Sequence, residues 1–544
     1  MRRKAALAGC ALLAAVCTLY GGIARAQVPA ERFLHRGEVN ELLRRGQQLE
    51  IERRWGDALI HYEDALREYP DERTLERRFE FTRLHYDLGR RYNDSTFADC
   101  LTRLSLGESL SLYSEVLLKL QTHYVEAPSF KEMVEWGVNA LDVALNEPSF
   151  VRRNVAEMHI VNVDAFRGEL RRRIGEQPVN NRNDAVEAVS VAARLAQARL
   201  GIPVTAVVFE FLCGATNALD PYSAYLTPGQ LAEVYSQIEG NFVGLGVELK
   251  GQDGALLVVR VIAGSPAQKQ GIRPGDSIVA VDDRPTRDLT TDQAANLLQG
   301  PIGSVAGVTV ITPGQSPRRL SMLRERIEVP SVDEVQMLDP MRGIAYLKLV
   351  CFQKTTSRDL DAALWQLHRQ GMRSLVMDLR GNPGGLLVTA VDVVDKFVNR
   401  GVIVSTRGRN AQEDFTYSAR EEGTWHVPLV VLIDQDSASA AEIFAGAIRD
   451  HQRAPVIGVR SYGKGSVQGI FPLSVSSSGV RLTTARFYSP SGKPYNRVGV
   501  EPDISVRQAA KPLAMPVSMA LNQGGDPVLS AAVQQAAAQV GPVR

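Results

Sequence analysis

The sequence is poor in cysteine and has no cysteine or histidine pairs at metal-binding spacings. Only five cysteines occur in 544 residues, and the three beyond residue 26 (Cys100, Cys213 and Cys351) are single and far apart. No CxxC pair is present, and the eight histidines include no pair four residues apart. These absences argue against a disulfide framework or a zinc site. The sequence implies no metal and no organic cofactor.

An excess of charge of one sign is also lacking. Lys and Arg number 62 against 61 Asp and Glu, which gives a formal net charge of +1. Bulk electrostatics therefore predict no nucleic-acid partner and no attraction to a membrane surface. With 44% hydrophobic and 23% charged residues, the composition is that of a soluble globular protein. The length predicts about two to four domains.

Residues 1–26 have the features of a secretory signal peptide. Arg2-Arg3-Lys4 form a positive start, the stretch from Ala5 to Tyr20 is largely apolar, and Ala24-Arg25-Ala26 offers small residues for cleavage. A membrane anchor is the alternative, but the apolar run is short for a membrane span. We therefore expect an exported chain, periplasmic or extracellular, with no stable membrane span in its mature form.

Residues 27–104 are predicted to be helical. Gly46, Ala58, Tyr62, Ala65 and Pro70 occur at spacings similar to those of a tetratricopeptide repeat. An ordinary helical hairpin is an equally good interpretation. If the repeat is present, residues 30–95 would offer a docking surface for a protein partner or for self-association. Residues 105–239 continue as helices and end at a proline-bounded connection, Asp220 to Pro228.

Residues 240–328 change to glycine-punctuated strands. Gly244-Leu245-Gly246-Val247, and the glycine-rich segments that follow it in order, resemble a PDZ domain. Successive backbone N–H groups of such a loop hold a free carboxylate, and the neighbouring strand edge pairs with an extended peptide. The resemblance predicts a β-rich domain that binds peptides through Gly244, Leu245, Gly246 and Val247.

Residues 329–507 alternate strands and helices. Predicted strands at 343–352, 373–379 and 427–434 are separated by predicted helices at 359–370 and 386–398. This order indicates an α/β domain with a mainly parallel sheet, in which catalytic groups lie on loops after the strands. Residues 508–544 form a C-terminal tail with a short helix expected at 526–540.

Three segments of the α/β domain carry residues suited to acyl-transfer chemistry. They are a glycine turn at 378–385, a serine segment at 437–442 and a Gly-Lys-Gly segment at 462–468. Ser439 precedes a helical pattern, and a helix N-terminus favours a developing negative charge. Lys464 can act as a base only when neutral, which predicts burial and no paired carboxylate. Singly, a serine between alanines is usually a helix cap, and Gly-Lys-Gly is usually a surface turn.

In this order the segments resemble the C-terminal processing (tail-specific) serine peptidases. The resemblance implies a Ser439 nucleophile, a Lys464 base oriented by Gln468, and an oxyanion hole made by Ala440 with Gly384 or Gly385. It further implies a sheet of the crotonase/ClpP type and substrates with free, apolar C-termini. Tyr222 replaces a usual histidine before the PDZ-like domain. Asp436 and Ala441 depart from the common pattern without removing a catalytic group.

Other functions remain open from the sequence. Cys351 lies in an alternating strand pattern, which favours core packing over nucleophilic catalysis. His426 precedes Ser439 by thirteen residues, but no G-x-S-x-G elbow supports a Ser-His pair. A non-catalytic adaptor that binds C-terminal peptides is the alternative from another class. A hydrolase of another acyl bond, or a crotonase-like acyl-CoA enzyme, is the enzymatic alternative.

Overall fold

The computed structural model describes residues 30–155, 162–252, 255–288, 297–507 and 525–540. They divide into two compact units, one reaching Asn93 and including Asn146–Ser149, the other formed by Asp94–Leu145 and the chain from Phe150 onward. The predicted signal peptide, residues 1–26, lies outside the described residues and stays a prediction. None of the described helices is both long and apolar enough to cross a membrane.

The first unit is a helical hairpin followed by a third helix: α1 (Ala30–Ile51), α2 (Trp55–Glu68) and α3 (Arg73–Tyr92). Helix α2 buries Ala58, Tyr62 and Ala65 on one face. A Cβ at Gly46 would lie 2.2 Å from the Tyr62 ring, so α1 and α2 pack through residues that carried the repeat pattern. This packing agrees with a helical hairpin, and the tetratricopeptide assignment stays a prediction. The unit ends at Asn93, eleven residues before the boundary predicted at 104.

A helical layer precedes the β-rich parts of the chain. Its elements are α4 (Ser95–Arg103), α5 (Leu106–His123), α6 (Phe130–Ala144), α7 (Pro148–Asn154), α8 (Val163–Gly175), α9 (Arg182–Leu200), α10 (Val204–Asn217) and α11 (Pro228–Glu239). Helix α10 is apolar on nearly every side and buries Phe209 and Phe211 completely, as expected of a helix surrounded by others. Short strand β1 (Ala224–Leu226) follows α10.

The domain that resembles a PDZ domain is an antiparallel sheet with the strand order β3-β4-β5-β7-β8. These strands are β3 (Val247–Gln252), β4 (Ala255–Val261), β5 (Ser277–Val281), β7 (Val305–Ile311) and β8 (Arg318–Leu323), with β6 (Arg284–Pro285) beside β5 and α12 (Pro266–Lys269) after β4. Strand β2 (Asn241–Gly244) pairs with β9 (Glu325–Glu328), so Asn241 lies opposite Glu328. This pairing brings together the two ends of the predicted 240–328 domain.

The α/β domain is built on a six-stranded sheet with the order β10-β11-β12-β15-β16-β19. The strands are β10 (Val332–Asp339), β11 (Ile344–Leu349), β12 (Ser374–Asp378), β15 (Leu429–Ile433), β16 (Val456–Gly458) and β19 (Ile504–Ser505). All neighbours are parallel except β10 with β11. The predicted mainly parallel sheet is therefore confirmed, and the crotonase/ClpP comparison stays a prediction.

Alternating side chains of the central strands enter two cores. One core receives α13 (Thr356–Arg369), α14 (Leu387–Asp395) and α15 (Ala440–Asp450). The other receives α16 (Pro527–Val540), whose Val528, Leu529, Ala532 and Ala536 are buried. The expected C-terminal helix is thus present. This helix packs against the α/β sheet, and the boundary of the predicted tail at 508–544 stays a prediction.

A second, antiparallel sheet was not predicted as a unit. It contains β1, β18 (Gly479–Tyr488), β13 (Gly401–Gly408) and β14 (Phe415–Ala419) in that order, with β17 (Ser466–Pro472) also paired to β18. Strand β18 therefore joins the segment before the PDZ-like domain, at β1, to the strand that follows Lys464.

Candidate active site

The three candidate segments meet at the carboxyl ends of neighbouring parallel strands. The glycine turn follows β12, the serine segment follows β15, and the lysine segment follows β16. Backbone hydrogen bonds join them, from Ala438 N–H to the Asn382 carbonyl at 2.9 Å and from Tyr462 N–H to the Ser437 carbonyl at 3.0 Å. The fold therefore brings together residues that lie up to ninety positions apart in the sequence.

Ser439 is the N-cap residue of α15 and has a strained backbone. Its φ of 56° and ψ of −115° lie outside the regions that non-glycine residues normally occupy. Such a conformation costs about 1–3 kcal/mol and persists only where the surroundings enforce it. The sequence placed Ser439 at a helix start but gave no sign of the strain.

Glu442 supplies much of that enforcement. Its side chain is fully buried and accepts four hydrogen bonds. Oε2 accepts from the backbone N–H of Ser439 and of Lys464, both at 2.8 Å. Oε1 accepts from Gly463 N–H at 2.7 Å and from the Ser461 hydroxyl at 2.6 Å. Burial raises the pKa of the Glu442 carboxyl, and the hydrogen bonds oppose that rise.

Glu442 is the last residue of the serine segment at 437–442, and no role was predicted for it. Glu442 is the third residue of α15, so its bond from Ser439 N–H is the glutamate half of a capping box. The Ser-x-x-Glu spacing could have identified this contact. Its contacts with the lysine segment have no signal in a single sequence.

Lys464 lies in the loop between β16 and β17 and is half-buried. Burial lowers the pKa of its amine, and the positive charge of Arg481 lowers it further, against Glu442 and Asp220. Within the described ranges, no carboxylate lies within ion-pair distance of its ammonium group. The Nζ atom lies 4.9 Å from the centroid of the Tyr222 ring. These surroundings suit a lysine that must lose its proton to react.

Gln468 lies on β17, two strand positions beyond Ser466. Its amide nitrogen donates to Thr483 Oγ1 at 2.9 Å and to Ser466 Oγ at 3.2 Å. Its side-chain oxygen is buried and has no hydrogen-bond partner among the described residues. No side-chain hydrogen bond joins Lys464 to Gln468 or to Ser439 in the described part of the chain. The orienting role of Gln468 therefore stays a prediction.

The glycine turn lies against the start of α15. A Cβ at Gly384 would lie 2.8 Å from Ala440 N. The Gly384 N–H donates to Asn382 Oδ1 at 2.8 Å, whereas the N–H groups of Gly385 and Ala440 have no acceptor among the described residues. Gly385 also has a φ of 144°, and a Cβ there would lie 2.1 Å from the Phe352 carbonyl oxygen. This geometry favours Gly385 over Gly384 as the partner of Ala440.

The predicted carboxylate-binding loop connects β2 to β3. The Leu245 carbonyl accepts from Ala267 N–H at 3.0 Å, and the Gly246 carbonyl accepts from Ile262 N–H at 2.9 Å. The N–H groups of Leu245 and Gly246 have no acceptor within the described ranges. Strand β3, which begins at Val247, lies at the edge of its sheet. A peptide can therefore pair with β3 and place its terminal carboxylate on unused N–H groups.

The alternative catalytic residues, Cys351 and His426, lack surroundings that would support catalysis. Cys351 follows β11, and burial raises the pKa of its thiol to about 11, so it is protonated at neutral pH. No hydrogen bond joins His426 to Ser439 among the described residues. In the same part of the chain, no group of three His, Cys, Asp or Glu residues is placed to hold a metal ion.

Comparisons with known proteins agree on the two β-containing domains. Residues 343–506 match peptidase family S41, and residues 257–312 match a PDZ domain. The carboxy-terminal-processing protease of Bartonella bacilliformis is 38% identical over 301 residues, which cover 54% of this chain and 68% of that protein. The carboxyl-terminal-processing protease of Synechocystis is 33% identical over 294 residues, which cover 53% and 68%. The solved photosystem II D1 C-terminal processing protease has a TM-score of 0.38 and 26% identity, covering 73% of this chain and 93% of its own.

Proposed function

This chain belongs to the carboxy-terminal-processing proteases of peptidase family S41, and from that membership we propose that it is an exported serine endopeptidase with a Ser439–Lys464 dyad. The observation that carries the dyad is the Glu442 carboxylate. A single oxygen of it accepts the backbone N–H groups of both Ser439 and Lys464. The contact fixes the backbones of the proposed nucleophile and base next to one another, as a shared reaction requires.

In the proposed reaction, Lys464 removes the proton of the Ser439 hydroxyl as its oxygen attacks the scissile carbonyl carbon. The carbonyl oxygen becomes an oxyanion, which the N–H groups of Gly385 and Ala440 stabilise at the start of α15. The Lys464 ammonium then gives its proton to the leaving amine as the C–N bond breaks. Water hydrolyses the acyl-enzyme by the same steps and restores Ser439.

The PDZ domain is proposed to select the substrate by its C-terminus. The unused N–H groups of Leu245 and Gly246 suit a terminal carboxylate, and the edge of β3 suits an extended peptide. By family resemblance the last side chain should be apolar. The helical region at 30–95 is a candidate surface for a protein partner or for self-association.

The test is proteolysis of an unfolded protein with an apolar C-terminus by wild type, Ser439→Ala and Lys464→Ala. Cleavage by wild type alone would support the dyad. Normal cleavage by Lys464→Ala would contradict it, and equal cleavage by Ser439→Ala would mean that the nucleophile is misassigned. An ester and thioester panel separates a peptidase from a hydrolase of another acyl bond.

A peptide-binding measurement, made beside the proteolysis, distinguishes an enzyme from a non-catalytic adaptor. A fluorescent peptide with a free apolar C-terminus should bind, and its C-terminal amide should bind more weakly because the terminal charge is lost. Binding of the free acid without products from any substrate would favour the adaptor. A substitution in the loop, Gly246→Val, should weaken both binding and cleavage.

A further inference from the structure

The ring of Tyr222 faces the amine of Lys464, although the reaction proposed above gives Tyr222 no part. The Nζ atom of Lys464 lies 4.9 Å from the ring centroid, within the range of a cation–π contact. Both residues are half-buried. They are 242 positions apart in the sequence, so their contact depends on the tertiary structure.

Hydrogen bonds and strand pairing hold the segment that carries Tyr222 in place. Asp220 Oδ1 accepts from the N–H groups of Tyr222 at 2.7 Å and Ser223 at 2.8 Å. The Tyr222 carbonyl accepts from Arg481 Nε at 2.8 Å. The turn then enters β1, in which Ala224 pairs with Arg481. The ring is therefore presented to Lys464 by a fixed backbone.

Strand β18 connects this segment to the other residue expected near the amine. Thr483 N–H donates to the Ser223 hydroxyl at 3.3 Å, and Thr483 Oγ1 accepts from the Gln468 amide. Thr483 thus contacts both Gln468 and Ser223, the residue next to Tyr222. The amine has the Tyr222 ring as a neighbour, whereas the Gln468 oxygen has no partner among the described residues.

We infer that Tyr222 is a positioning residue for Lys464: its ring holds the ammonium form of the amine through a cation–π contact. The inference rests on the proposed dyad. A carboxylate in that place would hold the proton strongly and keep the base charged. A ring face attracts the ammonium much more weakly. It can therefore stabilise the charge that Lys464 acquires from Ser439 while leaving deprotonation accessible.

Other charged groups also act on the Lys464 amine. Arg481 on β18 opposes its charge, whereas Glu442 on α15 and Asp220 before β1 favour it. Conservative substitutions of Tyr222 retain all three. A change in Lys464 titration between such variants then reports the ring itself.

The experiment is competitive labelling of lysines with acetic anhydride across pH, with the Lys464 peptide quantified by mass spectrometry. The variants are Tyr222→Phe, which keeps the ring, and Tyr222→Leu, which keeps an apolar side chain without it. Tyr235→Leu, at an exposed tyrosine of α11, is the control. Tyr222→Met replaces the leucine variant if that variant does not fold, as judged by circular dichroism.

Loss of the ring should lower the Lys464 midpoint by about 0.4 to 1.5 pH units, since the ammonium loses a cation–π contact. The phenylalanine variant and the control should keep the wild-type midpoint. An unchanged or raised midpoint without the ring, or an equal shift in the phenylalanine variant, would overturn the inference.

Cleavage measured in parallel separates this inference from the proposed function. The acid limb of kcat/KM should move with the labelling midpoint, which a merely structural role for Tyr222 would not cause. If the wild type cleaves nothing while the midpoint still falls without the ring, the peptidase proposal fails and the contact between Tyr222 and Lys464 stands.

Discussion

Lys464 donates its backbone N–H to Glu442 Oε2 at 2.8 Å. Because the same oxygen accepts the N–H of Ser439, the main chains of the proposed base and nucleophile are fixed to each other through one buried side chain. No side-chain hydrogen bond joins Lys464 and Ser439 within the described residues. The spacing of the two main chains is therefore set by backbone contacts with Glu442.

Glu442→Ala should impair both stability and cleavage. It removes the acceptor of four donors, and each buried donor left unsatisfied costs about 1–3 kcal/mol. Displacement of Ser439 and Lys464 by about 1 Å would lower kcat/KM by about 10²-fold. Thermal unfolding and peptide cleavage measure the two effects.

The matched control is Glu422→Ala, at a solvent-exposed glutamate. Glu422→Ala should leave thermal stability and peptide cleavage near the wild-type values. Normal cleavage by Glu442→Ala at full stability would show that the two segments keep their spacing without this carboxylate.

Peptide cleavage should rise with pH through the lowered pKa of Lys464. Only the neutral amine accepts the Ser439 proton, and burial brings its pKa below the usual value of about 10.4. The acid limb of kcat/KM against pH should therefore have its midpoint below that value. Lys464→Arg should be inactive at every pH, because its guanidinium stays protonated. Activity that is independent of pH, or retained by the arginine variant, would argue against a lysine base.

The free energy of unfolding should also depend on the protonation of Lys464. Below its folded-state pKa, Lys464 keeps a charge in a partly desolvated place, so Lys464→Met should raise the Tm by a few degrees. Between the folded and unfolded pKa values the unfolded chain binds the extra proton, and wild-type stability rises with pH. The advantage of the methionine variant should therefore shrink through that window. Differential scanning calorimetry at several pH values measures it, and an advantage that grows with pH would mean that Lys464 is not desolvated.

Gly385→Ala should nearly abolish cleavage. Its Cβ would lie 2.1 Å from the Phe352 carbonyl oxygen, so the turn must move and carry its N–H away from Ala440. Loss of one oxyanion donor lowers kcat by about 10² to 10³. Gly381→Ala is the control within the same turn, because its φ is also positive, at 72°, but no atom lies within 4 Å of the added Cβ. Equal loss in both variants would assign the effect to strain in the turn rather than to the position of the donor.

Much of the fold followed from local patterns in the sequence. The apolar run at 427–434 predicted a buried strand, and β15 occupies Leu429–Ile433 within it. The apolar spacing after Ser439 predicted the helix that begins at Ala440. Both patterns are local, because the order of apolar residues within a strand or a helix reflects which of its faces are buried.

The interactions that hold the site together were not predictable in this way. Glu442 contacts the lysine segment through backbone N–H groups. Every non-proline residue has such a group, so the residue that Glu442 contacts cannot be identified from the sequence. The pairing of β1 with β18 helps to bring Tyr222 to Lys464. The antiparallel sheet that arranges this pairing was not predicted as a unit, since long-range strand pairing is not encoded in local periodicity.

Arg380 connects the glycine turn to the C-terminal helix, and its removal should destabilise both. The guanidinium lies between two buried carboxylates, 2.6 Å from Asp378 and 2.9 Å from Asp526. Asp526 also accepts the N–H of Leu529 at 2.9 Å at the start of α16. Arg380→Met would leave two buried carboxylates without a cation, and a broken buried ion pair costs about 3–5 kcal/mol.

We therefore expect Arg380→Met to lower the Tm, to increase hydrogen exchange in residues 527–540 and to reduce cleavage, because the turn before Gly385 loses its support. Arg420→Met is the control, since Arg420 pairs with Asp395 but is 77% exposed, and such surface pairs contribute about 0–1 kcal/mol. Unchanged exchange in α16 with lost activity would mean that Arg380 acts on the turn alone. Faster exchange with normal cleavage would mean that α16 supports the sheet without supporting the site.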